Sequence, residues 1–255
     1  MATDDPLPDP RSGPEKDAAL VQRMFDRVAP RYDLANSVFS LGQDRHWRRV
    51  AVRAVQPQLG EVALDVAAGT GMLAHELRRG GATVVALDFS FPMLAYGAAR
   101  EAAGGAPRTR WLEGGGHPEG VLWCNGDGMR LPLADASVDV VTIAFGLRNL
   151  PDPAAGLAEF ARVTRPGGRL AVLEFSSPKW RPFRAVYHRY LLGAIPQVAK
   201  VVTSDPAAYR YLAESILEWP DQNGLARLLA ASGWEKVRWK NLTGGVVAVH
   251  AATRG

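Results

Sequence analysis

The chain has 255 residues, of which 47% are hydrophobic, and this composition is typical of a globular protein with a substantial core. The 30 basic and 26 acidic residues leave a net charge of +4, which is too small to indicate a nucleic-acid-binding protein. The single cysteine, Cys124, excludes an intrachain disulfide. No uninterrupted apolar run approaches the length of about 20 residues that a membrane-spanning helix needs.

The first 17 residues are acidic and rich in proline, and they lack the apolar stretch of a signal peptide. We expect a disordered leader over residues 1–17, followed by a single cytoplasmic domain over residues 18–255. Helical periodicity ahead of the first strand predicts an N-terminal helical cap over residues 18–58. A second helical region is predicted over residues 176–218.

Near-continuous apolar runs predict the strands of a parallel sheet that is buried on both faces. These strands are Val62–Val66, Thr83–Leu87, Val121–Cys124, Val138–Phe145 and Arg169–Phe175. Helical patterns alternate with them, at Met72–Arg79, Pro92–Ala102 and Pro153–Thr164. This rhythm predicts an open, doubly wound α/β sheet. A further helix and a C-terminal antiparallel hairpin are predicted at Gln222–Ala231, Glu235–Leu242 and Gly245–Ala251.

A glycine-rich turn joins the first predicted strand to its helix, in the stretch ALDVAAGTGMLAHEL. Gly69 and Gly71 allow positive φ and a close approach of the backbone to a ligand, and the helix N-terminus favours negative groups. Because the loop formally matches G-x-G-x-x-A, an NAD-dependent oxidoreductase remains an alternative interpretation. A glycine turn that binds no ligand is another. Asp65 at the strand end favours the methionyl ammonium of S-adenosylmethionine instead, because this carboxylate would repel a pyrophosphate.

Three acidic residues follow three successive strands at one predicted edge of the sheet, namely Asp65, Asp88 and Asp127. An acid at the position of Asp88 can hold both ribose hydroxyls of a nucleoside. The carboxylate of Asp127 can accept a hydrogen bond from the adenine amino group, although such a residue on its own is more often a turn residue or a helix cap. Because open α/β sheets bind ligands at this edge, the three acids together predict a nucleoside site.

The stretch VTIAFGLRNLPDP places two polar side chains, Arg148 and Asn149, directly after the strand Val138–Phe145. We expect both at the ligand-binding edge of the sheet, beside the cofactor. The alternative is that Arg148 forms a structural salt bridge and Asn149 caps the next helix.

Longer stretches make the chain resemble the C-methyltransferase family of ubiquinone and menaquinone biosynthesis, most closely its demethylmenaquinone methyltransferases. The stretches most specific to this family are MFDRVAPRYDLANSVFSLGQDRHWRR and TIAFGLRNLPDP. Two other stretches are shared more widely among methyltransferases, namely LDVAAGTG and RVTRPGGRLAVLEFS. The resemblance extends over nearly everything from about residue 20 onward. It implies a class I, Rossmann-like S-adenosylmethionine-dependent methyltransferase fold with a mostly parallel seven-stranded sheet, in which the region 176–218 covers the substrate.

The implied reaction is the transfer of a methyl group from S-adenosylmethionine to a ring carbon of demethylmenaquinol, in menaquinone biosynthesis. A polyprenyl benzoquinol, or another small molecule, is the alternative acceptor. By position, the family's cofactor site falls on Thr70, Asp88 and the pair Asp127 and Gly128. The chain departs from the family pattern at three positions. Ala35 stands where the family has a methionine, Met72 where it has an acid, and Ala144 where it has a serine.

Methylation at a ring carbon requires a more nucleophilic quinol, whose hydroxyl resembles a phenol with a pKa of about 10. We expect Arg148 to stabilise the developing phenolate and Asn149 to orient the ring oxygen. Tyr32 is the third catalytic candidate, because by resemblance it belongs to a segment that covers the substrate. A packed aromatic side chain is the alternative for Tyr32.

The segment 179–200 combines basic and aromatic residues and contains no acid. It predicts a peripheral contact with the inner face of an anionic membrane, or a cover for a polyprenyl chain. The alternative is a core-packed helix with a solvated basic face. The spacing of the histidines indicates no metal site, and we expect no nucleic-acid partner.

Overall fold

A computed structural model describes residues 18–28, 37, 40–104, 120–194 and 206–255. These residues form one seven-stranded sheet in the order β3-β2-β1-β4-β5-β7-β6. The strands are β1 (Val62–Val66), β2 (Thr83–Asp88), β3 (Val121–Asn125), β4 (Val138–Ala144), β5 (Thr164–Phe175), β6 (Trp234–Leu242) and β7 (Val247–Arg254). Strands β1 to β5 pair in parallel, whereas β7 runs antiparallel to both β5 and β6. The predicted doubly wound sheet and C-terminal hairpin are confirmed.

The described helices alternate with the parallel strands and extend the fold at both ends. They are α1 (Ala18–Val28), α2 (Asp44–Val55), α3 (Met72–Arg79), α4 (Phe91–Ala103), α5 (Pro153–Val163), α6 (Arg181–Arg189), α7 (Pro206–Glu218) and α8 (Gln222–Ala231). A short 3₁₀ turn, Leu147–Asn149, follows β4, and another, Thr243–Gly245, joins β6 to β7. No helix within the described ranges is long and apolar enough to cross a membrane.

The central strands are mostly apolar because both faces of the sheet are covered. Successive residues point to opposite faces, so Leu64 and Val141 pack in one layer, whereas Ala63 and Val140 pack in the other. Helices α5 and α8 supply side chains to the first layer, and α2 and α3 supply side chains to the second. A buried position on either face favours an apolar residue, which explains the continuous runs in the sequence.

Strand β5 begins at Thr164, earlier than the predicted start at Arg169. Its pairing with β4 shifts register, because Thr164 pairs with Val138 whereas Arg169 pairs with Val140. The residues between the predicted helix end at Thr164 and the predicted strand start at Arg169 therefore form a bulge within β5, at Pro166-Gly167-Gly168. A Cβ atom on Gly168 would lie 3.0 Å from the Asp139 carbonyl oxygen, so glycine allows this bulge to pack against β4.

The strand order reverses direction between β1 and β4, which are neighbours in the sheet. From β1 the chain proceeds outward to β2 and β3, and then returns to β4 on the other side of β1. The helices that connect the strands diverge at this point and leave a crevice at the carboxyl ends. The fold therefore brings the residues that follow β1, β2 and β4 to the mouth of one crevice.

Candidate active site

A cavity of about 400 Å³ occupies this crevice. Most of the residues predicted for the cofactor site line it, namely Asp65, Gly69, Thr70, Asp88, Asp127 and Gly128, together with Asn149 from the predicted catalytic group. Helix α1 contributes Val21, Gln22 and Phe25 to the walls. This volume and these mostly apolar walls with few polar groups are typical of a small-molecule site.

The glycine loop between β1 and α3 lines part of the cavity. Gly69 and Gly71 both have positive φ, at 57° and 76°. The space around Gly69 is open toward the cavity, whereas a Cβ atom on Gly71 would lie 2.3 Å from Cη2 of Trp123. Gly71 itself does not line the cavity, and it is the N-cap residue of α3. One glycine therefore exposes backbone to a ligand and the other allows the loop to pack on an indole ring.

Asp65, at the carboxyl end of β1, is fully buried and lines the cavity. Its Oδ1 atom accepts a hydrogen bond from the Thr142 hydroxyl at 2.8 Å. Its Oδ2 atom is buried without a hydrogen-bond partner among the described residues. Burial raises the pKa of Asp65 to about 7, although the Thr142 hydrogen bond and the charge of Arg48 act in the opposite direction. A buried carboxylate oxygen without a hydrogen-bond partner favours a ligand that carries a cationic hydrogen-bond donor.

Asp88 ends β2 and lies at the other side of the glycine loop. Its two carboxylate oxygens accept hydrogen bonds from the backbone amides of Gly69, at 2.7 Å, and Ser90, at 2.8 Å. Burial raises the pKa of Asp88 to about 6, although these amides oppose the shift. Each oxygen keeps a further lone pair, so the carboxylate can still accept hydrogen bonds from ligand hydroxyls.

Asp127 lines the cavity but is exposed. Its Oδ1 atom accepts a hydrogen bond from the Met129 amide at 2.8 Å, which is the turn geometry considered for it from the sequence. Gly128 beside it is buried, and a Cβ atom there would lie 3.1 Å from Val66.

Two residues in the cavity wall have strained backbones. Ala67, after β1, and Phe145, after β4, have φ values of 51° and 58°, which residues other than glycine rarely adopt. The Phe145 ring is held by two other aromatic rings, with centroid distances of 4.8 Å to Phe175 and 6.1 Å to Trp47. Such strain concentrates at functional sites, where the surrounding packing maintains it. The sequence carries no signal of a positive φ at either position.

Arg148 is not among the described residues that line the cavity. Its Nη1 atom donates hydrogen bonds to Glu174 Oε1 at 2.9 Å and to the Phe145 carbonyl at 2.5 Å. Its Nε atom donates to the Ser215 hydroxyl at 3.3 Å, and the guanidinium lies over the Phe175 ring. Both charged side chains of the pair are buried. The arrangement is the salt bridge that was the alternative for Arg148, and direct contact with a substrate stays a prediction.

Asn149, in contrast, lines the cavity. Its Nδ2 atom donates one hydrogen bond to the Phe145 carbonyl at 3.2 Å, and its Oδ1 atom accepts one from the Tyr211 hydroxyl at 3.2 Å. These two contacts fix the orientation of the amide. Since Nδ2 carries two hydrogens, the second remains for a ligand.

The sequence reasoning missed several residues around the cavity and named one that cannot be placed. Arg48 from α2 lines the cavity beside Asp65, and Tyr211 from α7 orients Asn149. The spacing of Asp44 and Arg48, one helical turn apart, was the available signal for Arg48. Tyr32 lies outside the described residues.

Comparisons with known proteins agree with this geometry. The model of the ubiE/COQ5 methyltransferase family matches residues 13–254. A demethylmenaquinone methyltransferase from Mycolicibacterium vanbaalenii is 52% identical over 244 residues, which are 96% of this chain and 99% of that protein. A protein of the same name from Streptomyces griseus is 50% identical over the same shares of the two chains.

Solved structures share the fold at low sequence identity. A SAM-dependent methyltransferase from Thermotoga maritima aligns with a TM-score of 0.65 at 16% identity, over 92% of this chain and 99% of that one. The cyclase SpnF aligns with a TM-score of 0.64, also at 16% identity, over 93% of this chain and 96% of that one. The fold is thus the class I methyltransferase fold. On the family match and the relatives, the chain belongs to the ubiE/COQ5 methyltransferase family.

Proposed function

We propose that the protein transfers the methyl group of S-adenosylmethionine to a ring carbon of demethylmenaquinol. The names of the half-identical relatives support this acceptor, since these relatives match the chain over nearly its whole length. The observation that carries the proposal is one cavity lined by two unlike sets of groups. The glycine loop and two buried carboxylates form one set, and the amide of Asn149 with the ring of Phe145 forms the other.

The residues around the glycine loop fit S-adenosylmethionine. The unpartnered Oδ2 atom of Asp65 suits the methionyl ammonium, the carboxylate of Asp88 suits the ribose hydroxyls, and Asp127 suits the adenine amino group. When bound, S-adenosylmethionine supplies the electrophilic methyl group. The protein's task is then to align the acceptor carbon with that group and to exclude water.

Asn149 is the residue that we assign to the acceptor. Its free N–H can donate a hydrogen bond to the ring oxygen on which negative charge develops, and such a donor lowers the pKa of a phenol-like hydroxyl. The Phe145 ring, held by its strained backbone, supplies an apolar wall for the quinol. The Asn149 amide and the Phe145 ring both come from the segment directly after β4, and the hydrogen bond from Asn149 to the Phe145 carbonyl fixes their relative position.

In this proposal Arg148 acts indirectly, by positioning residues that contact the acceptor. Its guanidinium fixes the Phe145 carbonyl, to which the Asn149 amide also donates. The ion pair with Glu174 ties this turn to β5, and Ser215 ties it to α7. We therefore assign Arg148 the positioning of Asn149 and Phe145.

The test is product analysis by mass spectrometry, with reduced demethylmenaquinone and reduced demethylated ubiquinone analogues offered separately with S-adenosylmethionine. We expect C-methylated menaquinol from the first acceptor. A protein that methylates only the benzoquinol ring, or that methylates neither, would refute the proposed acceptor. The variant Asn149→Leu keeps the size of the side chain but removes the donor, and we expect turnover to fall by about 100-fold.

We also propose that α6 and the residues beside it contact an anionic membrane, where a polyprenyl quinol resides. Trp180, at the N-cap of α6, is 70% exposed, and Val186 and Leu192 are exposed as well. Arg181 and Arg189 are exposed on the same short stretch. Apolar side chains with neighbouring cations fit the interface of an anionic bilayer. Residues 195–200 of the predicted basic segment lie outside the described residues.

Vesicle flotation tests this contact. We expect the protein to float with vesicles that contain phosphatidylglycerol, and the triple variant Arg181→Glu/Arg184→Glu/Arg189→Glu to lose that binding, since each cation near the surface contributes about 1 kcal/mol. The matched control reverses three exposed cations of β6, Lys236, Arg238 and Lys240. Equal loss in both variants, or no loss in either, would refute a specific contact through α6.

A further inference from the structure

Two buried groups of opposite charge line the cavity, and no salt bridge joins them among the described residues. Asp65 is 1% exposed and Arg48 is 7% exposed. The carboxylate comes from the end of β1, whereas the guanidinium comes from α2, which precedes the sheet in the chain. Among the described residues Asp65 has no ion-pair partner, and Arg48 pairs with Asp44 through one nitrogen, so a ligand that carries both signs can complete the pairing of both groups.

The guanidinium of Arg48 is held in place at one end. Its Nη1 atom donates a hydrogen bond to Asp44 Oδ2 at 2.6 Å, one helical turn earlier, and Ser40 donates to the other oxygen of Asp44 at 3.3 Å. Its central carbon lies 5.9 Å from the centroid of the Phe145 ring. Within the described part of the chain, Asp44 is the one hydrogen-bond acceptor of this guanidinium. Most of its five N–H groups therefore remain for a ligand.

The planar fork of an arginine matches the geometry of a carboxylate, which it binds with two parallel hydrogen bonds. Asp65 offers the opposite chemistry, because its Oδ2 atom is a buried acceptor without a partner. An α-amino acid terminus carries an ammonium and a carboxylate on one carbon. Of the parts of S-adenosylmethionine, only the methionyl terminus has both groups.

We infer that Arg48 binds the α-carboxylate of the methionyl terminus, while Asp65 takes its ammonium. The inference rests on the proposed use of S-adenosylmethionine and is independent of the acceptor. Asp44 then has the role of a positioning residue, since it fixes one end of the guanidinium and leaves the other end directed at the ligand.

Calorimetry with two ligands tests the inference. One ligand is S-adenosylhomocysteine, and the other is its analogue that keeps the amine but lacks the carboxyl group. We expect the wild-type protein to prefer the first ligand and Arg48→Gln to lose that preference. Specifically, the variant should bind S-adenosylhomocysteine about 10- to 100-fold more weakly, as for a lost charged hydrogen bond, and should bind the decarboxylated analogue almost as the wild type does.

The matched control is Arg49→Gln, an exposed arginine on the same helix, which we expect to bind both ligands as the wild type does. If Arg48→Gln does not fold, because Asp44 is left buried and unpaired, the double variant Asp44→Asn/Arg48→Gln removes both charges and allows the same comparison. Equal weakening of both ligands, or unchanged binding of S-adenosylhomocysteine, would overturn the assignment. Since no quinol is present, failure of the proposed acceptor leaves this result intact.

Discussion

Asp65 lowers the stability of the ligand-free protein at neutral pH, because its carboxylate is buried. Its pKa is raised from 3.8 to about 7 because burial disfavours the charged form. In the unfolded chain the carboxyl group ionises at lower pH than in the fold, so the unfolded state binds fewer protons between these two values. Asp65 therefore lowers the free energy of unfolding as the pH rises from about 4 to 7. Below this range its full contribution to stability is present, and above it that contribution is absent.

The variant Asp65→Asn should therefore stabilise the ligand-free protein at pH 8 and do so less at pH 5. The amide oxygen of asparagine can still accept the hydrogen bond from Thr142, so that contact survives. The measurement is the difference in melting temperature between variant and wild type across this pH range. Taking the difference removes the parallel contribution of Asp88, whose pKa is also raised. A difference that does not change with pH would show that Asp65 is ionised at a normal pKa.

The Arg148–Glu174 pair makes the opposite contribution, because each charge depends on the other. Truncating Arg148 to alanine leaves Glu174 buried without its partner, and we expect a loss of about 3–5 kcal/mol in the free energy of unfolding. The double variant Arg148→Met/Glu174→Gln should recover most of this stability but not turnover, since the Phe145 carbonyl loses its guanidinium donor. Denaturant unfolding and kcat measure the two effects. Wild-type turnover in the double variant would exclude a positioning role for Arg148.

At the scale of elements, the sequence predicted strands and helices well and their contacts poorly. The run Val62–Val66 is β1 without change, and Met72–Arg79 is α3, because burial on a full face leaves a local apolar pattern. The direction of the Arg148 side chain could not be predicted in the same way. It depends on Glu174, which lies on β5, and on Ser215, which lies on α7. Local patterns carry no information about such distant partners.

The packing of α4 against the glycine loop is a second contact that no local pattern indicates. Gly97 of α4 lies so close to Trp123 and the loop that a Cβ atom there would be 2.6 Å from Cη2 of Trp123 and 2.7 Å from the Thr70 carbonyl oxygen. The Trp123 ring in turn packs on Gly71, and its indole N–H donates to Glu101 at 3.0 Å. The loop that faces the cofactor is thus supported from behind by one indole ring.

Gly97→Ala should therefore lower the free energy of unfolding by about 1–3 kcal/mol and weaken the binding of S-adenosylhomocysteine, because the helix must move away from the loop. Denaturant unfolding and calorimetry measure these changes. Gly104→Ala, at the end of the same helix, is the control, since a Cβ atom there meets its neighbours at an ordinary 3.5 Å. If Gly97→Ala behaves like the control, the close packing of α4 on the loop is not what supports the site.

For the whole molecule, the cavity is assembled from parts that are far apart in the chain. Helices α1 and α2 precede the sheet, whereas the other walls lie at or after the carboxyl ends of β1, β2, β3 and β4. The sheet alone does not specify a reaction, since the cyclase SpnF shares the fold with a TM-score of 0.64. The acceptor specificity must therefore come from the segments that close over the common cofactor crevice.

Helix α1 is one such segment, and its attachment to the sheet is local. Gln22 donates a hydrogen bond to the Phe89 carbonyl at 2.8 Å, and Asp26 accepts one from the Ser90 hydroxyl. Both contacts are to the turn that follows β2, directly beside Asp88. Because α1 also presents Val21 and Phe25 to the cavity, a bound ligand and the helix should stabilise each other.

S-adenosylhomocysteine should accordingly stabilise the whole protein and α1 in particular. At a free concentration 100 times the Kd, binding contributes about 2.7 kcal/mol, which corresponds to a rise of roughly 5–10 °C in melting temperature for a chain of this size. In hydrogen exchange at short labelling times, the amides of α1 should slow on binding, whereas those of α6, which does not line the cavity, should not. A rise in melting temperature with unchanged exchange in α1 would show that the ligand is held by the sheet edge and the glycine loop alone, and that α1 does not close the cofactor site.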